Sequence, residues 1–129
     1  DFGRTLVIDS PDSGRQLAQY DAADHLLVRL DANGNRTDLT WDVAGQLVAR
    51  RVRGHDSSGQ PTAYSMTYRY QGNRLIAVTD PQQETTLRYD ANGHVVERTE
   101  QLTPVSAHEG KKSTLTFTTR YHYDALNRL

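Results

Sequence analysis

The chain has 129 residues, enough for one domain with a modest core, and 36% are hydrophobic, below the roughly 45–50% of ordinary globular domains. Basic and acidic side chains number 15 and 16, so a net charge of −1 leaves no basic stripe for nucleic acid or an anionic membrane, and no apolar run approaches spanning length. Cysteine is absent, which excludes disulfides, thiolate nucleophiles and zinc-thiolate sites.

In chain order, a turn signal at 9–14 leads to Tyr20-Asp21, followed by a small segment, 22–26, that ends on Leu26. A second turn signal, Asp31 to Gly34, precedes the alternating Thr37-Leu39-Trp41, and Trp41-Asp42 opens another small segment through Gly45 to Leu47. Residues 53–63 are polar and rich in structure breakers, and read as an extended hairpin loop or a tolerated insertion. Tyr64, Met66, Tyr68 and Tyr70 then alternate with Ser65, Thr67 and Arg69, and Tyr70-Gln71 leads through 72–75 to Leu75. A turn at Asp80 to Glu84 precedes Thr85-Leu87-Tyr89, and Tyr89-Asp90 leads through Gly93 to Val95. After a second polar insertion at 103–113, Leu115, Phe117, Thr119, Tyr121 and Tyr123 alternate with polar residues, and Tyr123-Asp124 leads to Leu129.

Such alternation puts one set of side chains on one face of a sheet. The Asn33-Gly34 and Asn92-Gly93 pairs predict tight hairpins, because both residues tolerate positive φ. The aromatic-Asp mark recurs with a period of about 20 residues, stretched after Trp41 and after Tyr89. Each period therefore predicts two strands and two turns. The expected fold is all-β: antiparallel hairpin repeats in one twisted strip, about five partial or complete repeats over 1–129, with no helix longer than a turn or two.

The segments Tyr20-Asp21-Ala22-Ala23-Asp24-His25-Leu26, 89–95 (YDANGHV) and 123–129 (YDALNRL) resemble the YD repeat of bacterial RHS proteins. That family's pattern is roughly Tyr-Asp, two or three residues, Gly-Arg-Leu, then Thr-Asp-x-x-Gly, and 75–81 and 31–37 match its second half. Trp41 replaces its Tyr, Gln71 its Asp, and Asp24 or Asn127 its Gly. The resemblance implies a β-strip that spirals into a hollow shell around a C-terminal toxin domain, with related strips in insecticidal toxin complexes and teneurins. It implies a secreted or surface-exposed bacterial protein whose partners are the neighbouring repeats and that toxin domain. Beginning at Asp1 and stopping within a motif at Leu129, the sequence reads as a piece of a longer chain.

No catalytic, cofactor or metal role is expected. The five histidines, His25, His55, His94, His108 and His122, show no ligand spacing and read as surface loop residues. His55-Asp56 and His108-Glu109 are neighbours in sequence only. The Asp31 loop lacks the glycine and the closing glutamate of a calcium loop, and Asp80-Pro81 lacks the residues of a self-cleavage motif. The residues expected to carry the repeat are Tyr20, Asp21, Leu26, Asp31, Gly34, Trp41, Asp42, Gly45, Leu47, Tyr70, Leu75, Asp80, Tyr89, Asp90, Gly93, Val95, Tyr123, Asp124 and Leu129, in scaffold roles. The competing expectation is a glycan-binding surface with Tyr64, Tyr68 and Tyr70 as its sugar platform.

Overall fold

Strand follows strand in chain order, β1 through β10, each hydrogen-bonded to its neighbours in sequence, in an antiparallel sheet. The computed structural model describes residues 3–103, 114–126 and 128–129, so most of the expected insertion at 103–113 lies outside the described residues. Among the described residues there is no helix, as alternation without any 3.6-residue period predicts.

The chain divides into two units, residues 1–67 and 68–129. The first contains β1 (Thr5–Ser10), β2 (Gly14–Tyr20), β3 (Leu26–Leu30), β4 (Arg36–Trp41), β5 (Leu47–His55) and the first part of β6 (Pro61–Gln71). The second contains the end of β6, β7 (Arg74–Thr79), β8 (Gln83–Tyr89), β9 (Val95–Leu102) and β10 (Leu115–Arg120). Residues 53–63 are largely strand: β5 runs on to His55, β6 resumes at Pro61, and pairs run from Ala49–Thr67 out to His55–Pro61. The supposed loop is a longer hairpin closed by a short turn at 56–60.

The hairpin turns differ from the expected two-residue form. At Asn33-Gly34 and Asn92-Gly93 only the glycine has positive φ, at 80° and 92°, and the asparagine does not. The reversal starts two residues earlier, at Asp31 and Asp90, and spans five residues. An acidic side chain that bonds the turn's own amides favours this wider reversal, in which a single residue needs the left-handed region.

Neither unit has, among the described residues, a second layer to pack against. Among the described residues Ala77, in the middle of β7, is the one buried hydrophobic side chain, at 1% exposure. Stability must come from strand pairing, cross-strand contacts and the turns rather than from a packed interior. Ion pairs join adjacent strands: Glu97 on β9 holds Arg120 on β10 at 3.0 Å and Arg88 on β8 at 3.5 Å. Exposed pairs of this kind each contribute about 1 kcal/mol or less, so they favour one register more than they add stability.

The turn geometry makes a test at Gly34. A Cβ there would meet nothing within 4 Å, so backbone conformation alone decides the cost. The equivalent position of the 21–25 turn is Asp24, at φ 66°. Gly34→Ala should destabilise by about 1 kcal/mol in urea unfolding and Gly34→Asn by clearly less. Equal costs would show that the left-handed position is not what demands glycine.

Candidate functional site

The chemistry-bearing residues gather in one five-residue turn used repeatedly. In the turns 21–25, 31–35, 42–46, 56–60, 90–94 and 124–128 the first residue is aspartate. Its Oδ1 accepts the amide N–H of the third and fifth residues at 2.8–3.0 Å, as Asp90 does from Asn92 and His94 at 2.9 Å each. The aspartate's own N–H donates to the fifth residue's carbonyl, and in all but the last, whose fourth residue lies outside the described set, the fourth N–H donates back to the aspartate carbonyl. Asp80 makes a shorter version, accepting from Gln82 and Gln83 at 2.8 Å. At 10–14 the Ser10 hydroxyl takes over, at 3.3 and 3.4 Å.

The aromatic-Asp mark and the Asp-x-x-Gly mark, read as two features in the sequence, are thus one turn. Asp56 was missed as a member, although Asp56-Ser57-Ser58-Gly59 displays the same spacing.

Where the aspartate follows Tyr or Trp, the second carboxylate oxygen binds the fifth side chain. Asp21 Oδ2 lies 2.9 Å from His25 Nδ1, Asp90 Oδ2 3.2 Å from His94 Nδ1, and Asp124 Oδ2 2.7 Å from Arg128 Nε. Gln46 donates more weakly to Asp42, at 3.4 Å, and Asn35 donates to Asp31 at 2.9 Å. A carboxylate only accepts, so each histidine carries hydrogen on Nδ1. His25 and His94 are therefore half-buried parts of the turn and not loop decoration; His55 and His122 are exposed, and His108 lies outside the described residues.

Where that fifth side chain is histidine, it receives the aromatic ring of the next repeat. Trp41 stacks on His25 at 5.0 Å between ring centres, and Tyr123 on His94 at 4.8 Å. Two arginines outside the Asp turns serve rings by cation–π contact, Arg74 at the start of β7 over Tyr89 at 5.7 Å and Arg4 just before β1 over Tyr20 at 5.1 Å. The polar tip of the ring then donates to the carbonyl of the following residue: Trp41 Nε1 to Leu26 at 2.8 Å, Tyr89 Oη to Leu75 at 2.7 Å, and Tyr123 Oη to Val95 at 3.1 Å. This clasp uses both ends of an amphipathic ring.

Pairing shifts by one residue at Tyr20, Trp41 and Tyr89, which face Leu26, Leu47 and Val95 across a bulge. A bulge sharpens local twist and re-aims a side chain. Gly45 and Gly93 sit close to the preceding clasp: a Cβ would stand 3.2 Å from His25 Nε2 and 3.0 Å from Arg74 Nη2.

Of the proposed sugar platform, Tyr64 is 42% exposed, whereas Tyr68 and Tyr70 are half-buried; all three lie on β6. Among the described residues no group of three or more His, Asp or Glu is placed to hold a metal ion.

The acid limb of stability should report on the turns. Backbone amides hold Asp21, Asp90 and Asp124 below the usual carboxylate range, led by the N–H of His25, His94 and Arg128 respectively; Asp31 is lowered chiefly by the Asn35 side chain and Asp56 by the Ser58 hydroxyl. A depressed folded pKa gives stability that is complete above the unfolded value of about 4 and is lost as pH falls through the folded one. The urea midpoint should stay level from neutrality to about pH 5 and fall below about pH 4, with a shallower fall in Asp90→Asn.

The clasp itself is tested at Tyr89. Tyr89→Phe removes only the hydrogen bond to Leu75 and should cost about 1 kcal/mol. Tyr89→Ala should cost roughly 2 kcal/mol, under the ~3–5 kcal/mol of a fully buried ring because Tyr89 is half-buried. A cost within about 0.5 kcal/mol for both would remove the clasp as a structural element.

Comparison with known proteins places this geometry. The RHS Repeat family matches residues 20–55 and 70–101, more than half of the chain and spanning four of the six five-residue Asp turns and the shorter one at Asp80. The crystal structure of TcdB2-TccC3-Cdc42 is similar over 98% of this chain, at 19% identity and a TM-score of 0.40; the similar region is 8% of that chain. No curated protein matches.

Proposed function

We propose a wall-building role for this chain, which belongs to the RHS repeat family. It is a non-catalytic structural module, one stretch of a hollow β-shell that encloses a C-terminal toxin or effector domain in a secreted or surface-exposed bacterial protein. The observation that carries this reading is the clasp. Trp41 and Tyr123 each close on the turn before them and lead directly into the next turn, so the unit extends without an end point. A sheet with one buried apolar side chain among the described residues is built to be continued and backed by other parts of a larger assembly. The half-buried state of Tyr68 and Tyr70 favours this reading over a glycan platform, which needs open ring faces.

Both terminal strands support it. β1 pairs only with β2 and β10 only with β9 among the described residues, and they carry exposed Leu6, Val7 and Ile8, and Leu115 and Phe117. In the parent, neighbouring repeats would cover these edges. The isolated chain should therefore associate with its own copies, by edge pairing, swapping or face packing. Light scattering over a concentration series should show mass rising with concentration. A folded monomer at the highest concentration would favour an autonomous binding domain, and saturable binding on a glycan array lost in Tyr64→Ala would identify its ligand.

A further inference from the structure

One face of the first unit carries more positive charge than it neutralises. By strand register, Arg36 and Asp38 on β4, Arg51 and Arg53 on β5, and Ser65 and Thr67 on β6 share that face. Both oxygens of Asp38 are already engaged: Oδ1 accepts from Arg36 at 2.9 Å and Oδ2 from Arg53 at 2.6 Å. The two guanidiniums hold its carboxyl below the usual range, Arg36 first. Arg51 stands directly opposite Asp38 in the pairing, is exposed, and has no ion pair among the described residues. The flanking strands bring no acid to relieve it, since Val28 and Leu30 on β3 and Ala63, Ser65 and Thr67 on β6 are the residues facing this surface. An open groove of about 330 Å³ runs here, lined by Thr40, Arg51, Arg53, Ser65 and Thr67 with Asp38.

The geometry points to an anion-binding groove whose ligand is an extended acidic peptide segment. Arg51 and Arg53 lie two residues apart on one strand, so their stems emerge about 6.6 Å apart. Carboxylates at alternate positions of an extended chain repeat at the same interval, and guanidinium binds carboxylate through paired hydrogen bonds. The Thr40, Ser65 and Thr67 hydroxyls complete a polar floor that would donate to the same oxygens. In the shell reading, on which this inference rests for its biological setting but not for its chemistry, the peptide would be an acidic stretch of the enclosed polypeptide. Such a groove would position cargo against the wall by charge and without a deep pocket.

The probe is a fluorescent peptide of alternating threonine and glutamate, titrated with the 129-residue chain and read by anisotropy at low and at physiological salt. Expected are saturable binding that weakens with salt, a loss of roughly tenfold or more in Arg51→Ala, and no change in Arg29→Ala, an exposed arginine on the opposite face that does not line the groove. A peptide with its glutamates in one block should bind less well. Circular dichroism of Arg51→Ala checks that the sheet survives. Equal losses in both arginine variants would mean net charge and no groove, and no binding at low salt would end the proposal. Tighter binding of a sulfated oligosaccharide than of the peptide would reassign the groove to glycans. The titration is run below the concentration at which light scattering detects association, so that face packing does not cover the groove and failure here leaves the wall reading standing.

Discussion

The structure depends on a carboxylate placed where a hairpin reverses. Each reversal leaves backbone amides that no strand can pair, and unpaired amides are costly when covered. One aspartate oxygen takes two of them, as Asp21 does from Ala23 and His25. Ionised carboxylate to amide is stronger than a neutral bond, and the acceptor is anchored in the turn it closes. The reversal therefore needs no packed core beneath it, which matters in a chain with one buried hydrophobic residue among those described.

From this constraint the rest follows. Closing the turn with Oδ1 leaves Oδ2 free to orient the fifth side chain, and an imidazole so oriented is a flat platform for a ring. The ring that lands there must also cap a carbonyl, which explains Tyr and Trp at Trp41, Tyr89 and Tyr123 where Phe would leave the bond unmade. His25 and Arg74 are interchangeable in this role because both are planar and both can bear charge. The platform beneath a ring is thus restricted to flat side chains, although histidine and arginine look unrelated.

Alternation in 64–70 and 115–123 and the Tyr-Asp period made the strands and their antiparallel order legible, since period two allows few other readings. The turn was only half legible. Asn-Gly drew the reversal to residues 33–34 and 92–93, because that pair is the strongest short hairpin signal, while the aspartate two residues earlier sets the geometry. Asp56 was hidden by the breakers around it, which resemble a loop until its carboxylate is seen to close the turn. The roles of His25 and His94 depend on rings 16 and 29 residues later, and no local rule connects them. The crowding of Arg36, Arg51 and Arg53 round one acid was equally invisible, because it arises from register between strands.

The two ends of the hairpins obey different rules. At the clasp end, successive turns touch: Gly45 lies against His25 and Gly93 against Arg74, so each turn there is constrained by the one before it. At the other end the 31–35 and 56–60 turns share one geometry, but the strands leading to them differ, five and six residues in β3 and β4 against nine and 11 in β5 and β6. Lengthening a hairpin away from the clasp adds pairs of ladder bonds and shifts nothing at the clasp, so the stretched interval after Trp41 is absorbed as extra strand. A repeat protein whose contacts are all between sequence neighbours tolerates this, because each repeat answers only to the one before and the one after. Among the described residues the large difference in strand length lies at that end, where the longer hairpin extends the face that carries Arg51 and Arg53 without disturbing the clasps.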